Sequence, residues 1–120
     1  MPTIGRYTVP APNKVSLKTT PGDDVTGYAG KLFFYQDVTD PEAPVTTKET
    51  WTSDDLEHGV SFEFDAAGNQ HYQIAIAATA SSATTLDTTA TFETAIGPSH
   101  HVVPLVTDTL NELTWEFSPL

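Results

Sequence analysis

Apolar residues recur at every second position along most of the chain, the period of a strand that buries one face and wets the other. Val15, Leu17 and Thr19 share one side while Lys14, Ser16 and Lys18 share the opposite one, and Pro21-Gly22-Asp23-Asp24 then predicts a turn. Lys31–Val38 sets Leu32, Phe33, Phe34 and Tyr35 in succession, so both faces read as covered, as in a central or interface strand, and Asp40-Pro41-Glu42-Ala43-Pro44 ends it. Val45–Thr52 is polar, rich in Thr and closed by Trp51, which predicts an edge strand. Val60, Phe62 and Phe64 alternate with Ser61, Glu63 and Asp65; beyond an Ala-Ala-Gly-Asn turn, Tyr72, Ile74, Ile76 and Ala78 make the next inward row. These two segments predict a β-hairpin.

Ala80–Thr85 holds only small and hydroxylated residues and reads as a mobile loop, after which Ala90, Phe92 and Ile96 form a further row closed by Gly97-Pro98-Ser99. Val102–Val106 is broken by Pro104, which has no N–H for a ladder and so points to an edge strand or a bulge. Leu113, Trp115 and Phe117 alternate with Thr114 and Glu116 in a closing strand whose Trp115 belongs to the core. Helix finds support only at Thr52–Gly59. There Thr52 and Asp55 have the spacing of a capping box, Asp54 and Asp55 suit the positive end of the dipole, and Gly59 suits the stop.

Short strands with turn signals about ten residues apart predict an all-β fold, an antiparallel β-sandwich of seven to eight strands with at most one helical turn near residues 53–58. In size and strand count it is similar to immunoglobulin-like, transthyretin-like and C2-like sandwiches; that likeness is one of architecture, with no diagnostic motif behind it. One domain is expected over residues 1–120, with residues 1–13, which include Pro10 and Pro12, as an extended N-terminal arm. Twenty Thr residues agree with strand rather than helix.

Charge narrows the partners. Sixteen acidic residues against five basic ones give a formal charge of −11, so the average surface repels phosphate backbones and anionic membranes. With no cysteine in the chain, disulfides, thiolate metal sites and Cys nucleophiles are all excluded. The N-terminal residues lack an apolar leader core and no run approaches the length of a membrane span. A cytoplasmic, virion or processed secreted protein fits these features.

Three functional readings follow. The first is a non-catalytic binding or assembly module acting through sandwich edges and loops, with a protein partner or a second copy of the chain. The second is a lectin-like domain. Trp51, supported by Tyr35, would stack a sugar face, and Asp54, Asp55 and Glu57 would bind its hydroxyls, assisted by calcium if Asp37, Asp40 and Glu42 face them. The third is a small hydrolase or metal-dependent enzyme built on carboxylates and the histidines His58, His71, His100 and His101, with Ser99 beside His100 as a nucleophile candidate and the pair His100 and His101 as metal ligands. Adjacent strand residues point to opposite faces, which counts against that pair. No cofactor is expected, calcium being the one ion the acidic loops would suit.

Overall fold

A computed structural model describes residues 3–36 and 45–120. Two sheets face each other. Among the described residues there are nine strands, β1 (Thr3–Val9), β2 (Asn13–Pro21), β3 (Val25–Gln36), β4 (Thr46–Trp51), β5 (Val60–Phe64), β6 (Gln70–Ala80), β7 (Thr84–Phe92), β8 (Ser99–Leu105) and β9 (Asn111–Pro119), and one six-residue helix, α1 (Ser53–His58), between β4 and β5. The five-stranded sheet runs β1-β9-β6-β3-β4 and the four-stranded sheet β5-β2-β7-β8. The all-β sandwich is thus present, with a strand or two more than the periodicity predicts. An immunoglobulin constant domain sets strands A, B, E and D in one sheet; here the second, fifth, seventh and eighth share one, so the likeness stays at the level of two facing layers.

The alternating rows become the core because each sheet turns one face inward, and inward side chains of the two layers interdigitate. Val15 and Leu17 from β2, Phe62 and Phe64 from β5, and Leu86 and Ala90 from β7 meet Leu32, Tyr72, Ile74, Ile76, Leu113, Trp115 and Phe117 from the other layer, all of them buried. The edge positions expected for the Thr-rich strand and for the Pro104 strand are observed at β4 and β8.

Three expectations give way. β5 and β6 do not pair as a hairpin: β5 hydrogen-bonds to β2 in one sheet, and β6 lies between β3 and β9 in the other. The turn residues between them carry the chain from layer to layer, which satisfies the same inward alternation as a hairpin does. Ala80–Thr85 is no long loop, because β6 runs to Ala80 and β7 begins at Thr84. Residues 3–9 form a sheet strand rather than an arm, pairing in parallel with β9 through Arg6↔Glu116 and Tyr7↔Phe117; the other pairings are antiparallel. Val38, the Asp40–Pro44 turn and the acids Asp37, Asp40 and Glu42 lie outside the described residues.

Among the described residues no helix is long and apolar enough to cross a membrane. α1 has the expected cap: the Asp55 N–H donates to Thr52 Oγ1 at 3.2 Å, and the Thr52 N–H donates to Asp55 Oδ2 at 3.0 Å. Its Leu56 is fully buried over Gly30, where a Cβ would already stand 3.3 Å from Leu56 Cδ1.

Candidate functional site

The structure brings Trp51, Asp54 and Asp55 to one groove of about 610 Å³ that Glu49, His58 and Ser61 also line. Tyr35 and Glu57 do not line it. Trp51 is only 7% exposed and opposite Gly30 in the sheet register, so its ring belongs to the core and has no open face to stack on a sugar. This corrects the sequence reading: alternation places Trp51 inward, and the polar residues before it conceal that. Asp55 spends a carboxylate oxygen on the helix cap. His58 Nδ1 sits 2.8 Å from the Asp54 carbonyl oxygen, which leaves that ring tied to its own helix. Among the described residues no three His, Asp or Glu side chains converge as a metal site would require.

His100 and His101 point to opposite faces of β8, and the structure therefore does not bring them to one ion. His100 Nε2 lies 3.7 Å from Asp87 Oδ2 on the outer side, with more than half of its side chain exposed. His101 turns inward. Its Nε2 is 3.2 Å from both the Ser99 hydroxyl and the Tyr7 hydroxyl, and Tyr7 donates to Ser99 Oγ at 3.1 Å. Ser99 thus pairs with the histidine two residues on, not with the adjacent one, because i and i+2 share a strand face. The Tyr7 ring stacks on Phe117 and folds over Gly5, where a Cβ would lie 2.6 Å from its hydroxyl oxygen. This triangle joins β1 of one sheet to β8 of the other and acts as a polar clasp along one side of the sandwich.

The outer face of the five-stranded sheet holds the feature that sequence reasoning missed. Ala29, Lys31 and Phe33 from β3, Thr50 from β4, Ala75 and Ala77 from β6 and Glu112 from β9 line a shallow, mainly apolar depression of about 260 Å³. Register explains the floor: Ala29 stands beside Ala77, and Lys31 beside Ala75, so small side chains leave a hollow between taller ones. The signal was present as Ala75 and Ala77 alternating with Ile74 and Ile76, a strand whose outward row is small and apolar where a wet face usually carries polar residues. Arg6 and Glu116 form an ion pair at 3.6 Å further along the face, and Gln73 Nε2 donates to Glu116 Oε1 at 3.4 Å. Tyr35 also belongs here, stacked on His71 with ring centroids 5.1 Å apart.

By contrast, the groove of about 520 Å³ on the outside of the four-stranded sheet is lined mostly by polar side chains, among them Lys14, Ser16, Lys18, His58, Ser61 and Thr89. No protein-family model, no curated protein and no solved structure matches the chain.

Proposed function

We propose that this chain is a non-catalytic binding or assembly module whose working surface is the outer face of the five-stranded sheet. One observation carries the reading: an apolar depression floored by Ala75 and Ala77 lies open on the outside of a sheet, where a chain of this acidity has every means to place charge. Two of the four sheet edges, β4 and β8, are poorer docking sites. β8 carries Pro104, and β4 carries Lys48 and Glu49, devices that discourage a foreign strand from adding to the sheet.

An Ala77→Arg variant fills the hollow with a long cation, and Lys18→Glu on the opposite face serves as control. Each immobilised protein is offered a native lysate and, separately, a labelled copy of the chain. The expected result is a species held by wild type and Lys18→Glu and lost by Ala77→Arg at unchanged melting temperature; identical retention by all three proteins overturns the reading.

A glycan-binding role is supported by the groove beside α1, where Glu49, Asp54 and His58 offer hydrogen-bonding groups to hydroxyls. With Trp51 buried, it would act without stacking. A thermal-shift panel of sugars with and without calcium tests it, and a flat response in every well removes it.

A further inference from the structure

We infer that the occupant of this face is a second copy of the same chain, docked about a two-fold axis lying along β6; the inference rests on the reading above and names its partner. The argument is charge complementarity. Lys31 on β3 and Glu112 on β9 rise on opposite sides of the alanine floor, with β6 between them. Rotation about an in-plane axis along β6 exchanges the β3 and β9 sides when two such faces meet. Ala75 and Ala77 then meet their counterparts, and Lys31 of each copy, level with Ala75 and Thr114, lies over β9 of the other two residues along from Glu112, which is level with Ala77, a diagonal that two long side chains span. A two-fold interface needs this self-complementarity.

Charge balance over the rest of the face agrees. Across β1, β9, β6 and β3 the residues Arg6, Lys31, Glu112 and Glu116 are two cations and two carboxylates, on a molecule whose formal charge is −11. Two copies approaching through this surface meet little net repulsion, as they would through the outer face of the four-stranded sheet, where Lys14 and Lys18 offset Glu63 and Asp87; the alanine floor distinguishes this face. Lys31 makes no ion pair within its own chain among the described residues and is exposed, so it is open to a partner's carboxylate. The small floor also lets the sheets approach closely, so that Phe33, at the rim of the hollow, is covered.

Size sets the strength. Five strands about 4.8 Å apart, each contributing roughly seven residues at about 3.3 Å, offer on the order of 550 Å² per copy. Stable complexes bury about 800 Å² per partner, which places this contact at the weak, concentration-dependent end.

Sedimentation equilibrium of the intact chain from about 10 μM to 1 mM tests the inference, and the average mass should rise from 12.9 kDa toward twice that value. Lys31→Glu and Glu112→Lys should each weaken association by at least about tenfold, because two attractive pairs per dimer become repulsive. The double variant Lys31→Glu/Glu112→Lys should restore it, and Lys18→Glu should leave it unchanged. A mass fixed at the monomer value, or a double variant no better than the singles, overturns the inference. If the chain stays monomeric while Ala77→Arg still strips a species captured from lysate, the partner is another protein and only this inference fails. If neither experiment responds, both fail.

Discussion

Tyr72 shows how one buried hydroxyl links packing to pH. Its ring lies among Phe34, Phe62 and Phe64 with centroids 5.1 to 5.5 Å apart, and its hydroxyl donates to Asp65 Oδ1 at 2.7 Å. Burial first, then the bond to Asp65 and the charge of that carboxylate, push its pKa well above the ordinary 10.0. The unfolded chain therefore releases this proton at lower pH than the fold does. Between the two values the native state binds more protons, so the stabilisation is complete below pH 10 and is lost as pH rises through the folded value. Guanidinium titrations from about pH 9 to about pH 11.5 should show wild type losing stability more steeply than Tyr72→Phe, since the variant has no proton there to release. Parallel curves would refute the assignment. Neither this pair nor the asparagines that order the loops were legible in the sequence. Asn111 Nδ2 donates to the carbonyls of Ala78 and Val106 while its Oδ1 accepts from the Val106 N–H; Asn13 accepts from the Thr94 N–H and donates to the Thr94 carbonyl. The Ala78 and Thr94 partners lie 33 and 81 residues away, a distance that only the fold closes.

Among the elements, α1 was the most legible because its signals are local. Thr52, Asp55 and Gly59 fix its ends within eight positions, and the reciprocal bonds form as the spacing predicts. Replacing Thr52 by Ala removes the acceptor for the Asp55 N–H and should cost about 1 kcal/mol. Urea denaturation should show a lower midpoint at unchanged slope, while Thr52→Ser, which keeps the oxygen, should stay near wild type. A Thr52→Ala protein with the wild-type midpoint would mean that the packing of Leu56 alone holds the helix. Strand pairing behaves differently. Alternation reports which side of a strand is buried, and it put Phe62, Phe64, Tyr72, Ile74 and Ile76 inside correctly. It does not report which sheet the strand joins, since a row on either layer points into the same interior; β5 and β6 were therefore read as partners when they face each other. The same limit hid the clasp, for nothing in residues 3–9 announces a parallel partner more than a hundred positions later.

At the scale of the whole molecule, charge is the property most at odds with compactness. The chain carries −11, and among the described residues the only ion pairs are Arg6–Glu116, largely exposed at its Arg, and His100–Asp87, charged only when the imidazole is protonated. Screening therefore has little attraction to remove and much repulsion to relieve. Raising sodium chloride from about 10 mM to about 500 mM, where the Debye length falls from roughly 30 Å to under 5 Å, should raise the denaturation midpoint at pH 7. The same addition should lose its effect near pH 4.3, where the net charge vanishes. A midpoint that falls with salt at pH 7 would show that attractive pairs, not repulsion, dominate the folded electrostatics. Charge is nearly balanced on both broad faces, Arg6 and Lys31 against Glu112 and Glu116 on the five-stranded sheet and Lys14 and Lys18 against Glu63 and Asp87 on the four-stranded one, so most of the repulsion that salt relieves comes from the loops and ends of the sandwich.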